Sequence, residues 1–239
     1  MRMLSSLRER DPGAHELMDD ADCDPVTLAR TFDRFAIVNA VVSDQRSLYR
    51  RWIRPRLRGG EALRLLDVGT GGGDLPRRML RWAERDGGGL TAVGIDPDER
   101  AIAAARAQPP LAGLELRRVS TRELVATGER FDLVVSNHVL HHLTAAELGS
   151  ILVDSERLTA PGGAVVHGDI ARSPLAYAAF AAATLPLQPT LLRDTLIRVD
   201  GLASIRRSHT AAELAPAMPP GWTARSRPPA RLELSWRAP

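Results

Sequence analysis

The 239-residue sequence contains no lysine, a single cysteine and few aromatic residues, which make up 4% of the chain. All 32 basic residues are therefore arginines, and with 29 acidic residues the net charge is only +3, although the pI is 9.9. The high intrinsic pKa of arginine raises the calculated pI without creating a large positive field. This composition predicts that nucleic acid is not a partner.

The scarcity of cysteine and the shortness of the apolar runs argue against a disulfide-bonded or a membrane-spanning protein. Cys23 alone forms no intramolecular disulfide and no multi-cysteine metal site. No stretch approaches the ~18 uninterrupted apolar residues that a membrane helix needs, and the first residues lack the apolar run of a signal peptide. We expect a soluble cytoplasmic protein, without a membrane partner, that is a monomer or a homodimer.

Short apolar runs alternate with helical patterns from residue 61 onward, which is typical of βαβ units around a parallel sheet. The predicted fold class is α/β, and residues 61–239 form the main domain. Strands are predicted at Leu63–Val68, Thr91–Ile95, Leu114–Val119, Phe131–Ser136 and Ala164–Gly168, and helices at Leu75–Glu84, Glu99–Ala107 and Ala145–Leu158.

Two regions flank this pattern. Residues 1–60 are predicted to form a helical cap, because apolar residues recur at helical spacing after Asp24, which can cap a helix, and Pro25, which suits its first turn. Residues 170–215 are predicted to be a helical insertion that forms a lid over a ligand site, since ligand pockets form at the carboxyl ends of parallel strands. The segments Thr223–Arg227 and Leu232–Trp236 are too closely spaced for a crossover helix and should pair antiparallel.

A glycine loop follows the first predicted strand. Gly69, Gly71 and Gly73 allow positive φ angles and a close approach of the backbone to a ligand. The dinucleotide fingerprint G-x-G-x-x-G fails here, because counting from Gly69 its sixth position is Asp74. Asp67, just before the loop, suits a positively charged cofactor better than a diphosphate.

The pattern Asp67-x-Gly69-x-Gly71-x-Gly73 resembles the first motif of the class I S-adenosylmethionine-dependent methyltransferases. The resemblance implies a seven-stranded Rossmann-like sheet with an antiparallel last strand. It also implies S-adenosyl-L-methionine as the cofactor, bound by the loop, Thr70 included. A glycine-rich turn without a ligand is the structural alternative.

Further candidate cofactor contacts follow three later strands. Asp96, with Pro97 after it, can accept hydrogen bonds from both ribose hydroxyls, and it could also cap the next helix. The family usually places an acidic or amide residue near the adenine, whereas this sequence has Ser120 and Thr121. The segment from Phe131 to Leu143 resembles the family's fourth motif, which implies that Asn137 and His138 line the methionine end of the cofactor. The resemblance covers roughly residues 63–169.

Methyl transfer to a hydroxyl group requires alignment and a base, and histidine suits the base because its pKa lies near neutrality. His138, His141, His142, His167 and His209 are the candidates, and His141 and His142 are predicted as the catalytic residues. Paired histidines after a strand could equally pack or cap. No metal site is predicted.

The predicted function is methylation of a small apolar or aromatic acceptor, on an oxygen atom of a phenolic, polyketide-like or quinone-like compound. The overall pattern, including HELMDD near the N-terminus, resembles methyltransferases encoded beside bacterial type III polyketide synthases, which would place the chain in bacterial secondary metabolism. An RNA or protein methyltransferase that uses the arginines between residues 50 and 58 is one alternative. A catalytically inactive cofactor-binding scaffold is another.

Overall fold

The computed structural model of the protein describes residues 7–239, without the side chain of residue 41. Its centre is a seven-stranded sheet in the order β3-β2-β1-β4-β5-β7-β6. The strands are β1 Leu63–Val68, β2 Leu90–Ile95, β3 Leu114–Arg117, β4 Phe131–Asn137, β5 Thr159–Ile170, β6 Thr223–Arg227 and β7 Arg231–Arg237. The α/β prediction and the seven strands are confirmed.

The last two strands close one edge of the sheet as a hairpin. β7 runs antiparallel to both β5 and β6, whereas β1 to β5 are mutually parallel. The predicted antiparallel last strand is therefore confirmed. β5 starts earlier than predicted, at Thr159, because Phe131 already pairs with Thr159 across an irregular register.

Strand β1 pairs with β2 on one side and β4 on the other. After β1 the chain forms β2 and β3 on one side of it and then crosses to form β4 on the other side. Connections that diverge in this way leave a crevice at the carboxyl ends of the strands. Val68, Ile95 and Ser136 stand in register at this edge. The loops that follow them build the site.

Successive residues of the central strands face opposite sides of the sheet, and both sides are covered. Leu65, Leu133 and Val135 belong to one buried cluster, and Leu66 and Val134 to the other. The helices that cover the sheet include α4 Asp74–Arg85, α5 Glu99–Ala107, α6 Thr121–Ala126 and α7 Ala145–Leu158, preceded by α1 Pro25–Val42, α2 Gln45–Leu48 and α3 Arg54–Arg58. Within residues 7–239, no helix combines the length and the apolar character that a membrane crossing requires.

The N-terminal region is less helical than predicted. Asp24 does cap α1, where its carboxylate accepts a hydrogen bond from Thr27 N (2.8 Å), and Pro25 occupies the first turn. Residues 7–24, however, form turns with one 3-10 turn at Leu17–Asp19, and residues 1–6 lie outside the described residues. Pro12 and Gly13 favour turns over a continuous helix in that segment.

The insertion also differs in its bounds. Ile170 belongs to β5, and the helices are α8 Pro174–Thr184, α9 Ile197–Arg207 and α10 Ala211–Leu214. Pro186 and Pro189 fall just after α8, and residues 185–194 form turns because proline cannot continue a helix. The prediction of a largely helical insertion holds outside this stretch.

Candidate functional site

A cavity of about 530 Å³ opens at the carboxyl ends of β1, β2 and β4. Its volume is within the range of about 300 to 1,000 Å³ that small-molecule sites occupy. The glycine loop forms one wall. Helix α1 and the insertion contribute apolar residues to the opposite part, namely Phe32, Phe35, Val38, Val42, Phe180 and Ile197.

The glycine loop has the backbone geometry that its sequence predicts. Gly69, Gly71 and Gly73 adopt φ angles of 67°, 52° and 75°, in the left-handed region that favours glycine. A Cβ atom on Gly69 would lie 2.5 Å from Cγ2 of Val139, which follows β4. The loop therefore packs against the β4 loop without space for a side chain, and its backbone faces the cavity.

Asp67 is a buried carboxyl group at the end of β1, with 2% of its surface exposed. Thr70 Oγ1 donates a hydrogen bond to its Oδ2 (2.7 Å). Burial raises the pKa of Asp67 to about 8, against the opposing effect of the Thr70 hydrogen bond. The group lines the cavity, and its raised pKa lies close to neutral pH.

Asp96 connects the end of β2 to the glycine loop. Its Oδ2 accepts a hydrogen bond from Gly71 N (3.0 Å), and its Oδ1 accepts one from Asp98 N (2.9 Å). Burial raises the pKa of Asp96, while these two hydrogen bonds lower it. The cap of α5 is Asp98, which accepts from Arg100 N (2.8 Å), so Asp96 is left to face the cavity with Pro97.

Ser120 and Thr121 lie outside the residues that line the cavity. They begin α6, a helix the sequence did not predict because the strand was expected to continue to Val119. Ser120 forms a capping box with Glu123, and Thr121 Oγ1 donates to Asp154 (2.7 Å). Their contact with an adenine ring stays a prediction that the geometry does not favour.

Asn137 and His138 both line the cavity, at the point where β4 ends. His138 has a φ of 60°, which a residue other than glycine rarely adopts. Ser43, just after α1, holds both side chains: its Oγ lies 2.7 Å from His138 Nε2 and accepts from Asn137 Nδ2 (3.0 Å). The first helix is thus tied to the methionine end of the predicted cofactor site.

His141 and His142 form a 3-10 turn with Leu140, and both line the cavity. His141 is buried, with its Nδ1 2.8 Å from Asp169 Oδ1, and its backbone N–H donates to Oδ2 of the same carboxylate (2.9 Å). Burial raises the pKa of Asp169, but the neighbouring His141 and His138 outweigh that effect and hold it well below its usual range. Burial lowers the pKa of His142, yet Asp19 (Nδ1···Oδ2 3.2 Å) and the charge of Glu16 shift it upward overall.

The other two candidate histidines lie outside the cavity lining. His167 is fully buried within β5, where Ser136 Oγ and Ser155 Oγ lie 2.8 and 3.1 Å from its two ring nitrogens. Burial lowers its pKa to about 4. His167 is therefore a neutral core residue, and burial also lowers the pKa of the half-buried His209.

Sequence reasoning missed several polar residues that line the cavity: Glu16, Asp19, Asp200, Ser204 and Arg207. Asp200 accepts hydrogen bonds from the backbone N–H groups of Leu17 (2.8 Å) and Met18 (3.1 Å), and so fixes the N-terminal turn against α9. Glu16 and Asp19 belong to the segment HELMDD, and no local spacing in the sequence indicates that this segment lies beside His141 and His142.

The central part of the chain matches a known family. Residues 66–167 match the family model described as a methyltransferase domain. The ubiquinone biosynthesis O-methyltransferase of Cereibacter sphaeroides is 36% identical over 120 residues, which cover 49% of this chain and 45% of that protein. The corresponding protein of Rhizobium etli is 33% identical over 115 residues, or 47% and 43% of the two chains. The match thus spans less than half the length of these curated relatives.

Solved structures share the fold at low sequence identity. The plantazolicin methyltransferase, in complex with SAH, has a TM-score of 0.61 at 10% identity and covers 100% of this chain and 98% of its own. An O-methyltransferase family protein from Burkholderia thailandensis has a TM-score of 0.60 at 18% identity, with 99% and 67% coverage. With the sheet order and the glycine loop, these findings show that the chain shares the class I methyltransferase fold and that its residues 66–167 match a methyltransferase domain.

Proposed function

We propose that the chain transfers a methyl group from S-adenosyl-L-methionine to an oxygen atom of a small phenolic or quinone-like acceptor. The observation that carries the proposal is the cavity of about 530 Å³, which joins the glycine loop to an apolar wall and a histidine pair. Ubiquinone biosynthesis O-methyltransferases among the relatives support an acceptor of this class. A polyketide-like acceptor and a role in cytoplasmic secondary metabolism stay predictions from the sequence.

The residues of the loop fit the cofactor. Gly69 and Gly71 leave the backbone open to a ligand, and each oxygen of Asp96 accepts one backbone hydrogen bond and keeps capacity for a ribose hydroxyl. Asp67 and the backbone at Asn137 would hold the methionine end. S-adenosylmethionine supplies a methyl carbon that its sulfonium group already activates.

The acceptor end of the cavity fits an aromatic ring. Phe180 of α8 packs on Gly201 of α9, where a Cβ atom would lie 2.5 Å from the ring. Phe32 and Phe35 of α1 face each other edge to face, with ring centroids 6.1 Å apart. This proposed lid would position the acceptor and exclude water.

The acceptor hydroxyl must lose its proton as the methyl group arrives. In this proposal, His141 or His142 takes it. Asp169 orients the ring of His141 through Nδ1, which leaves Nε2 as the nitrogen that can accept a proton. The ionised Asp169 would then stabilise the imidazolium.

The arginines invoked for an RNA substrate are largely engaged with carboxylates. Of the five between residues 50 and 58, three form ion pairs: Arg51 with Glu233, Arg54 with Asp86 and Arg56 with Glu61. Phosphate binding there would require these pairs to break. The geometry thus favours the small-molecule acceptor.

Calorimetry on the purified chain with S-adenosylmethionine, S-adenosylhomocysteine and NAD tests the cofactor half. We expect micromolar affinity for the first two and none for NAD, whereas binding of NAD, or of none of the three, would overturn the proposal. Asp96→Ala should weaken binding by about 2 kcal/mol, or roughly thirtyfold, as expected for a lost hydrogen bond to a charged group.

Thr144→Ala is the control for that variant, because Thr144 lies outside the residues that line the cavity. It removes the cap of α7 and should lower the free energy of unfolding by about 1 kcal/mol, with cofactor affinity unchanged. Mass spectrometry of a panel of phenols and hydroquinones, incubated with the protein and cofactor, then tests methyl transfer. A chain that binds the cofactor but methylates no acceptor of this class would be the scaffold instead.

A further inference from the structure

Three potential metal ligands converge at the acceptor end of the cavity. Ligand atoms of Glu16, His141 and His142 all lie within 4.8 Å of one another. His141 Nε2 is 3.5 Å from Glu16 Oε1, and His142 Nε2 is 3.8 Å from Glu16 Oε2. Two atoms that bind one zinc ion tetrahedrally at about 2.0 to 2.2 Å lie roughly 3.3 to 3.6 Å apart. The two distances from Glu16 are thus close to those of a binding arrangement.

Both imidazoles are held in the orientation that metal-binding histidines adopt. Nδ1 of His141 contacts Asp169 (2.8 Å), and Nδ1 of His142 contacts Asp19 (3.2 Å). A carboxylate that contacts Nδ1 fixes the tautomer, so that Nε2 is the free and more basic nitrogen. Metal-binding histidines usually have such a carboxylate on the nitrogen that does not bind the metal. Both Nε2 atoms then face Glu16.

Glu16 is a buried carboxylate beside these two imidazole nitrogens. Its side chain is only 3% exposed, and Oε1 is a buried acceptor without a hydrogen-bond partner. A buried carboxylate oxygen that accepts no hydrogen bond is costly, and a cation bound between it and the two imidazole nitrogens would offset that cost. Arg207 Nη1 lies 3.5 Å from the same oxygen and supplies part of that charge, but it also pairs with Asp19 (3.2 Å).

We propose that Glu16, His141 and His142 bind a divalent transition-metal ion of the zinc class. Two imidazoles with one carboxylate suit zinc, cobalt or iron(II) better than magnesium or calcium, which prefer oxygen ligands. Three protein ligands leave a position open toward the cavity. An acceptor oxygen could complete the coordination there, a consequence that rests on the proposed function.

The site also explains why the sequence alone predicted no metal. His141 and His142 are adjacent, whereas Glu16 arrives from the N-terminal turn that Asp200 holds in place. A metal-bound Nε2 is unable to accept a proton, so metal binding and the base role compete for the same nitrogen atoms. The two roles are separable by experiment.

The test uses the full chain, freed of metal with a chelator and titrated with ZnCl2 by calorimetry and with CoCl2 by visible absorption. We expect one ion per chain and cobalt d–d bands of a nitrogen- and oxygen-coordinated site. His142→Asn and Glu16→Gln should each weaken zinc binding at least about tenfold. The His142 side chain is partly exposed, whereas that of Glu16 is buried, so His142→Asn should disturb folding less than Glu16→Gln.

His15→Asn is the matched control, since His15 neighbours Glu16 in sequence but is 59% exposed and pairs with Asp20 instead. Its zinc affinity should equal that of the unmodified chain. Absence of stoichiometric binding, or equal affinity in the His142 and Glu16 variants, would overturn the site. Calorimetry with S-adenosylhomocysteine in the same samples separates the proposals, because an unmodified chain that binds this cofactor product but no zinc refutes only the metal site.

Discussion

The two ends of the cavity are built in different ways. The cofactor end consists of backbone from loops that directly follow β1, β2 and β4, with Asp96 bonded to Gly71 across the edge of the sheet. The acceptor end consists of side chains from the N-terminal turn, α1 and the insertion, joined by polar contacts such as Asp200 with Leu17 and Arg30 with Asp194 (3.1 Å).

This difference predicts which residues of the cavity tolerate substitution and which do not. The cofactor end depends on φ angles and on the absence of side chains, so small substitutions there should have large effects. The acceptor end depends on which side chains the lid supplies, and these can change without disturbing the sheet. We expect the first end to set cofactor binding and the second to set the choice of acceptor.

Gly69→Ala should cause the largest loss of cofactor affinity. The new Cβ would lie 2.5 Å from Val139 Cγ2, and the φ of 67° is unfavourable for alanine. Strain of this kind costs on the order of 1 to 3 kcal/mol before the steric clash is added, so affinity for S-adenosylhomocysteine should fall about a hundredfold. Calorimetry measures the affinity.

Gly128→Ala provides the control, because its φ is 75° but nothing lies within 4 Å of the added Cβ. It should lower the melting temperature slightly and leave cofactor affinity unchanged. Adding Val139→Ala to Gly69→Ala should recover part of the lost affinity. If Gly69→Ala binds the cofactor normally, the close approach of the two loops has no role in binding.

The same contrast explains how much the sequence could predict. The strands and the positive φ angles of Gly69, Gly71 and Gly73 follow from local patterns, because apolar alternation and glycine spacing act over a few residues. Glu16 beside His141 depends on how the N-terminal turn docks, which no local pattern encodes. The third strand ends earlier than predicted, at Arg117, because the capping box of Ser120 and Glu123 begins a short helix.

Phe180→Ala tests the acceptor end. Truncation of this ring, which lines the cavity and packs on Gly201, should raise the KM for an aromatic acceptor about tenfold through lost apolar contact. Affinity for S-adenosylhomocysteine should stay within twofold of the unmodified chain. Leu175→Ala on the same helix is the control, since that side chain is 79% exposed. An equal loss in cofactor affinity would show that the two ends are not separable.

The smallest predicted effect is a pH dependence of cofactor binding that arises at Asp67. With a pKa of about 8, raised by burial, this carboxyl group is mostly protonated at pH 7 and half ionised at pH 8. The positively charged cofactor favours the ionised form, so binding at lower pH must first remove a proton. Affinity for S-adenosylmethionine should therefore be about fivefold weaker at pH 7 than at pH 8, since the ionised fraction falls from about one half to one eleventh.

Asp67→Asn isolates the contribution of this group. The amide oxygen can still accept the Thr70 hydrogen bond, but it has no charge to titrate. Asp96, whose pKa is also raised by burial, remains in the variant, so only the share of the pH dependence that belongs to Asp67 should disappear. If the variant keeps the full fivefold change in affinity between pH 7 and pH 8, another group causes the pH dependence. Asp67 would then stabilise the glycine loop through its hydrogen bond with Thr70, without an electrostatic contribution to cofactor binding.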